Sequence, residues 1–259
     1  MIKSKSSEIL NKFLTTRATF ELFHGSRQFA NDHRVLVLDS SFNPPHNGHY
    51  MLVKKAVEHF KNTNLHVILL LSIKNADKEV KPASFDKRMD MMCILCDLLE
   101  KNSIKTSVGV TRYGKFVQKS EAMHRNMGNN FKLCYLVGFD TITRIFDSKF
   151  YEPLLTADAL KSFMVTTEFF CLTRSGDADS VKQLNYPNDI AEGKFEPEIP
   201  RSWHRKIVVE ENDPSTQNIS STMLRKAIFN RENDTTALIP KEIYQYVTNN
   251  HPGVNIFEP

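Results

Sequence analysis

Two histidines, three residues apart, are the side chains of this sequence best placed to do chemistry. His46 and His49 end the stretch Ser-Phe-Asn-Pro-Pro-His-Asn-Gly-His at residues 41–49. The stretch follows an apolar run at 35–38 and precedes a predicted helix. A helix start has unpaired backbone N–H groups and a positive dipole end, to which imidazole donors would add. We therefore predict an anion site suited to the phosphates of a nucleotide.

A second motif of this kind lies near the carboxyl end. Residues 218–225 read Asn-Ile-Ser-Ser-Thr-Met-Leu-Arg and open another predicted helix. Ser220 or Ser221 is a natural N-cap, and hydroxyls there can bind anionic oxygens. Arg225, one turn later, offers a planar fork of donors to the same phosphates. The structural alternatives are a Pro-Pro turn with surface histidines at the first motif and plain capping with a solvated arginine at the second.

The elements that must position these motifs alternate between apolar runs and helical patterns. Strands are predicted at residues 34–39, 66–72, 104–110, 132–137, 168–173 and 206–210. Helices are predicted at residues 47–61, 84–101, 115–125, 141–146, 157–163, 221–229 and 241–249. This alternation is typical of an α/β fold with a doubly wound, Rossmann-like parallel sheet and helices on both faces.

Segments outside this alternation suggest how the chain is divided. Residues 1–33 carry apolar side chains at roughly helical spacing, which predicts an amino-terminal arm packed on the domain. The domain itself would extend over residues 34–250, followed by a carboxyl-terminal tail at 251–259. Within it, the polar segment 175–204 contains three prolines and is too long for a routine connection, so we expect a flap or flexible insert there.

Composition argues against several classes of protein. The chain has 34 basic and 30 acidic residues, scattered along its length, which does not indicate a nucleic-acid-binding surface. No apolar run approaches the length of a membrane span. Four cysteines, a charged amino terminus and no recognisable signal peptide favour a reducing compartment, the cytoplasm or the nucleus. Cys93 and Cys96 form a Cys-x-x-Cys in a helical pattern without a second ligand pair, so we expect core packing there rather than a metal site.

Together, the two motifs resemble those of the nicotinamide mononucleotide adenylyltransferase family, within the HxGH nucleotidyltransferase superfamily. Between them, residues 72–78 are similar to the family's S-x-x-N segment with a downstream lysine. Residues 136–140 resemble its G-x-D strand end, and residues 171–176 its next strand end. Arg88 falls where the family has a helix arginine. The matches follow the family order from residue 35 to residue 229. The amino-terminal arm and the first motif are most similar to a divergent fungal branch of the family.

The resemblance implies adenylyl transfer from ATP to the 5′-phosphate of nicotinamide mononucleotide, or of its nicotinic acid form, with pyrophosphate as the leaving group. Such a reaction needs positioning and charge neutralisation rather than a protein nucleophile. Mg²⁺ would bridge phosphate oxygens with little ligation by the protein. The implied catalytic residues are His46, His49 and Arg225. ATP contacts are implied for Ser41, Phe42, His46, His49, Lys78, Gly138, Asp140, Ser220, Ser221, Thr222 and Arg225, and mononucleotide contacts for Ser40, Ser72, Asn75, Tyr151 and Arg174.

Two residues depart from the family pattern. Ser40 stands where the family usually has glycine, and its side chain would crowd the turn. Tyr151 stands where the family usually stacks a tryptophan on the pyridine ring, which a tyrosine can also do. Two other functions therefore stay open. One is an ATP-binding regulator or ATP hydrolase that has lost the pyridine site, and the other is a nucleotidyltransferase with a different phosphorylated acceptor.

Overall fold

A seven-stranded sheet organises the chain in the computed structural model, which describes residues 5–27, 29, 33–74, 82–128, 130–175, 179–230, 233–249 and 256–257. The strands run in the spatial order β1-β4-β3-β2-β5-β6-β7. Their bounds are β1 Phe20–Gly25, β2 Arg34–Asp39, β3 Leu65–Ser72, β4 Thr106–Thr111, β5 Lys132–Gly138, β6 Thr167–Leu172 and β7 Ile207–Glu210.

Helices of the described residues cover both faces of this sheet. They are α1 Lys5–Thr15, α2 Asn47–His59, α3 Phe85–Lys101, α4 Phe116–Met127, α5 Phe139–Ile145, α6 Thr156–Thr166, α7 Ser180–Ala191, α8 Ser221–Phe229 and α9 Lys241–Asn249. Short 3₁₀ helices lie at Ser148–Phe150, Arg201–Lys206 and Asn233–Ala237. Within the described residues, none of the helices combines the length and apolar character that crossing a membrane requires.

The central strands are buried on both sides. Leu36 and Leu38 of β2 pack in one hydrophobic cluster with side chains of α1, α2, α3 and α9. Val35 and Val37 pack on the opposite face with side chains of α4, α5, α6 and α7. A strand covered by helices on both faces must be apolar along its length, as the sequence Val-Leu-Val-Leu at 35–38 is. The predicted Rossmann-like α/β fold is confirmed.

The direction of strand addition reverses next to β2. This strand pairs in parallel with β3 on one side and with β5 on the other, while β1 is an antiparallel edge strand on β4. In an open parallel sheet, ligands bind in the crevice outside the carboxyl ends of the strands at such a switch point. The crevice here lies beyond Asp39, which ends β2, and Gly138, which ends β5.

Two segments differ from the predictions. The first 33 residues contribute β1 to the sheet as well as the helix α1, because Phe20 and Phe23, three apart, pack on opposite faces of a strand rather than on one face of a helix. The segment at 175–204, expected as a flap or flexible insert, contains α7 and a 3₁₀ helix in its described residues 179–204. Ile190 and Trp203 are buried there, and this packing offsets the hydrogen bond that Pro187 removes inside α7.

Candidate nucleotide-binding site

A cavity of about 260 Å³ opens at the carboxyl ends of β2 and β5. It lies at the switch point of the sheet and is lined by parts of both predicted motifs. Its polar lining residues are Asp39, Ser40, His46, His49, Asp140, Thr141, Arg174, Asn212, Thr216, Gln217, Ser220 and Ser221. The sheet therefore brings together segments that are far apart in the chain, from Asp39 to Ser221.

The histidine pair is held by hydrogen bonds that define the protonation of His49. His46 is the N-cap of α2, and its backbone N–H donates to Nδ1 of His49 over 3.1 Å. Because Nδ1 accepts, the neutral imidazole carries its hydrogen on Nε2. That nitrogen lies 2.9 Å from Oγ of Ser40, so it donates to the hydroxyl. The two imidazole rings are 3.8 Å apart and tilted by 40°.

Burial keeps both imidazoles neutral at physiological pH. It lowers the pKa of His49 to about 4, with a smaller contribution from the positive charge of Arg174. Burial also holds the pKa of His46 far below its ordinary value, helped by His49 and Arg174. A neutral imidazole still donates one hydrogen bond, so the pair can stabilise phosphate oxygens as fixed N–H dipoles without a proton transfer.

Two glycines make room for functional side chains. A Cβ atom on Gly48 would lie 3.0 Å from Nδ1 of His46 and 3.1 Å from its Cε1. A Cβ atom on Gly138 would lie 2.8 Å from Oδ1 of Asp140 and 3.1 Å from Cδ of Arg174. The glycine of the H-x-G-H motif and that of the G-x-D segment are therefore both explained by close approach of a cavity-lining residue.

An ion pair forms another wall of the cavity. Nη1 of Arg174 lies 3.3 Å from Oδ1 of Asp140. The main chain of Arg174 is fixed by Gln183 of α7, whose amide accepts from its N–H over 2.9 Å and donates to its carbonyl over 2.7 Å. Helix α7, within the segment expected as a flap or insert, thus positions a cationic side chain predicted for this site.

The amino-terminal end of α8 joins the second motif to the first. Ser220 caps the helix by accepting from the N–H of Met223 over 3.2 Å. Ser221 donates to the carbonyl of Pro44 over 2.9 Å. Arg225 donates to the carbonyl of Asn43 over 2.7 Å. The capping interpretation is right for Ser220, but Arg225 is not simply solvated, because it fastens α8 to the turn that carries the histidines.

Several predicted residues lie outside the cavity. Phe42 is fully buried, adopts a left-handed φ of 46° and packs its ring 5.3 Å from that of His49, so its side chain supports the histidine from the core. Ser72 donates to the carbonyl of Tyr113 over 2.7 Å and does not line the cavity. Ser41 is exposed beside it. Asn75 and Lys78 fall outside the described residues.

Thr222 and Arg225, two further members of the second motif, lie outside the first cavity. Thr222 is exposed, and its hydroxyl accepts from Nη2 of Arg225 over 3.1 Å. Neither side chain lines the cavity. Burial lowers the pKa of Arg88 to about 10, and the nearby positive charge of Arg225 makes a smaller contribution in the same direction. The predicted Arg88 is thus part of a cationic region beside the histidine turn.

Tyr151 lines a second cavity, of about 310 Å³, next to the first. Thr141 lines both cavities, so they adjoin at the start of α5. The rings of Phe116, Phe150 and Phe163 also line the second one, together with Lys115 and Arg144. Its lining is mainly aromatic and apolar, whereas the first cavity is polar. The hydroxyl of Tyr151 donates to the carbonyl of Ile145 over 2.6 Å, which holds the ring in place.

Sequence reasoning missed residues that reach the first cavity from elsewhere. Asn212, Thr216 and Gln217 come from the polar turn that precedes α8, and the run Asp-Pro-Ser-Thr-Gln at 213–217 was the available signal. It also missed that Asp39 forms a buried ion pair with Lys119 of α4. No local pattern announces that pair, because the two residues are 80 apart in the chain.

A possible metal-binding group lies away from the cavity. Among the described residues, His24, Cys96 and Asp97 place three potential ligand atoms within 4.8 Å of one another. His24 and Asp97 already pair over 2.7 Å, and burial raises the pKa of the Cys96 thiol far above its ordinary value. Within the cavity, the carboxylates of Asp39 and Asp140 are each paired with a basic side chain.

Comparison with known proteins identifies the family of this chain. Residues 37–227 match the cytidylyltransferase-like family. A Schizosaccharomyces pombe protein provisionally named nicotinamide mononucleotide adenylyltransferase is 32% identical over 246 residues, which is 94% of each chain.

Solved structures share the fold. Two structures of Plasmodium falciparum nicotinic acid mononucleotide adenylyltransferase, complexed with APC and with NaAD, superimpose with TM-scores of 0.54 and 0.53. Both are 16% identical, and each comparison covers 83% of this chain and 94% of the other. The family match extends from β2 to α8 and includes both motifs that line the cavity. The chain belongs to the cytidylyltransferase-like family of nucleotidyltransferases.

Proposed function

We propose that this nucleotidyltransferase moves the adenylyl group of ATP to the 5′-phosphate of nicotinamide mononucleotide, giving NAD and pyrophosphate. The observation that carries the proposal is the meeting, at the switch point of the sheet, of the two motifs predicted to bind phosphate. Ser221 and Arg225 of the second motif bond to the carbonyls of Pro44 and Asn43 in the first. The name of the Schizosaccharomyces pombe relative supports a pyridine mononucleotide as the acceptor.

The reaction is an in-line displacement at the α-phosphorus of ATP. An oxygen of the acceptor phosphate forms the new P–O bond while the bond to the β-phosphate breaks, and pyrophosphate leaves with the electron pair. His46 supplies a neutral N–H donor to the oxygens on which negative charge accumulates, and Nε2–H of His49 does the same when a phosphate oxygen replaces the Ser40 hydroxyl as its acceptor. Arg174 lines the same cavity with its positive charge, and Arg88 and Arg225 place further charge beside it. The protein contributes position and charge rather than a nucleophile.

Mg²⁺ fits this site as a partner of the nucleotide rather than of the protein. The two aspartates that line the cavity, Asp39 and Asp140, are held by Lys119 and Arg174, which leaves phosphate oxygens as the natural ligands. When bound, the ion would neutralise phosphate charge and help pyrophosphate to leave.

The aromatic cavity beside the first one suits the pyridine ring of the acceptor. Tyr151 and Phe116 present rings there, and Thr141 marks the border across which the acceptor phosphate would reach ATP. An aromatic face can stack on a planar ring whether it belongs to tyrosine or to tryptophan. Tyr151 therefore takes the place of the family's tryptophan in this proposal.

The state of the cysteines supports a proposal for the place of action. All four, Cys93, Cys96, Cys134 and Cys171, are free thiols, and three of them are buried. Unpaired cysteines are typical of reducing compartments. We accordingly place this activity in the cytoplasm or the nucleus.

The test is formation of NAD by purified protein with Mg²⁺, ATP and nicotinamide mononucleotide, followed through a coupled dehydrogenase. We expect activity in the wild type and its loss in His49→Ala. His59→Ala is the matched control, since His59 lies on the same helix and pairs with Glu210 outside the cavity. Breakdown of ATP without NAD would instead support the hydrolase or regulator, and faster turnover of another phosphorylated acceptor would support the third function.

A further inference from the structure

A buried ion pair lies directly behind the histidine cavity. The ammonium group of Lys119, on α4, contacts the carboxylate of Asp39, at the end of β2, and their side chains are only 5% and 10% exposed. Removing two charges from water costs more than their attraction usually returns, and an apolar pair of similar size is often at least as stable. Stability alone therefore does not explain why charged residues occupy these positions.

The pair connects the two cavities of the proposed function. Asp39 lines the cavity of the histidines, and it precedes Ser40, whose hydroxyl is bonded to His49. Lys119 lies 5.0 Å from the centre of the Phe116 ring, which lines the aromatic cavity. The hydroxyl of Tyr135 is bonded over 2.8 Å to Ser120, the neighbour of Lys119 on α4. The ion pair thus forms the polar base of the switch point.

The charge of Asp39 matters because the cavity must accept polyphosphate. An uncompensated carboxylate in its wall would repel every phosphate group of ATP across a poorly screened distance. The ammonium group of Lys119, in contact with that carboxylate, neutralises its charge. Burial raises the pKa of Asp39, while the ammonium of Lys119 opposes this and favours the ionised carboxylate.

We propose that Lys119 is a positioning residue of the adenylyl-transfer site, whose ammonium group neutralises Asp39 so that polyphosphate can bind in front of that carboxylate at any physiological pH. This inference rests on the proposed function, since it requires ATP in the histidine cavity. Neither residue needs to touch the reacting atoms.

The test replaces Lys119 by methionine and follows the affinity for α,β-methylene-ATP with Mg²⁺ by calorimetry between pH 6 and pH 9. In Lys119→Met, the ammonium group no longer opposes burial, so the pKa of Asp39 rises further and the carboxylate, as it ionises with rising pH, becomes an unpaired anion. We expect its affinity to fall by about tenfold or more relative to wild type over this range. The other charged or titratable groups facing Asp39 or sharing its cavity are Tyr135, His46, His49, Asp140 and Arg174. They are common to both proteins, as is the titration of the nucleotide, so the ratio of affinities isolates Asp39.

Two further variants separate charge from structure. The double variant Asp39→Asn, Lys119→Met has no titratable pair and should recover a wild-type pH profile. Arg34→Met removes the partly buried bond to Glu168 at the opposite end of β2, so it should lower the melting temperature without altering the profile.

The outcomes distinguish this inference from the function on which it rests. An unchanged profile in Lys119→Met, or failure of the double variant to recover it, overturns the role of Lys119 alone. No binding of the analogue to the wild type at any pH overturns the proposed function and this inference with it.

Discussion

The hydrogen bonds of His49 allow its structural and chemical roles to be separated by one substitution. Nδ1 accepts from the backbone of His46, and Nε2 faces Ser40 in the cavity. In His49→Asn, the amide oxygen occupies the position of Nδ1 and can keep the bond to the His46 N–H. Nothing in asparagine reaches the position of Nε2. The donor proposed for the transition state is lost while the helix start is kept.

The expected magnitudes follow from these two bonds. Loss of one preorganised donor to developing charge typically lowers kcat by about 10² to 10³, which is about 3 to 4 kcal/mol of transition-state stabilisation. His49→Ala loses the same donor and also leaves the buried N–H of His46 without its acceptor, which costs about 1–3 kcal/mol of unfolding free energy. The two variants should therefore be equally slow but differently stable.

Both quantities can be measured on the same preparations. NAD formation at saturating substrates gives kcat, and urea unfolding gives the free energy of unfolding. We expect His49→Asn and His49→Ala to share a low kcat and to differ in stability, with His59→Ala close to wild type in turnover. A kcat for His49→Asn within a few-fold of wild type would refute the donor role, and so would losses of activity that simply follow the losses of stability.

Other predictions address the same turn. Because burial lowers the pKa of His49 to about 4 from an ordinary 6.5, its contribution to stability is complete above pH 6.5 and is lost as the pH falls towards 4; acid titrations of urea unfolding should show that the wild type loses about 2–3 kcal/mol more unfolding free energy over this range than His49→Asn, since His46 and His66, whose pKa values burial also lowers, titrate in both proteins. Arg225→Ala should raise the apparent KM for ATP and lower the melting temperature, and Arg225→Lys should restore little because lysine lacks the planar fork; normal ATP kinetics with only a lower melting temperature would limit Arg225 to a structural role. Gly48→Ala should lower kcat by about tenfold, since its methyl group would displace the ring of His46, and a structure with an unmoved ring would contradict this. Tyr151→Phe should keep the steady-state KM for the mononucleotide, whereas Tyr151→Ala should raise it by about tenfold; equal KM values for the two variants would exclude ring stacking.

Local sequence patterns predicted most of the fold. The strand at 34–39 and the helices at 221–229 and 241–249 have the predicted bounds, because apolar runs and helix caps are encoded in neighbouring residues. The helix at Ser180–Ala191 could not be predicted in this way. Pro187 indicates a break, and only the burial of Ile190 against the sheet offsets it. Tertiary packing decided that element.

The candidate site was predictable in its motifs but not in its geometry. The sequence identifies His46 and His49 because their spacing at a helix start has a physical meaning. It cannot show that Phe42 turns into the core or that Arg225 bonds to a carbonyl of the other motif. Both facts depend on which distant segment lies opposite each residue in the folded chain.

The bonds from Ser221 to Pro44 and from Arg225 to Asn43 span 177 and 182 residues of sequence. They give the site a very high contact order, so its closure belongs to the late stages of folding. A nascent chain that still holds α8 within the ribosome already has its histidines but lacks the helix that completes the candidate site. A nucleotide bound to both motifs would then link the amino-terminal part of the domain to α8, and would oppose unfolding of either part.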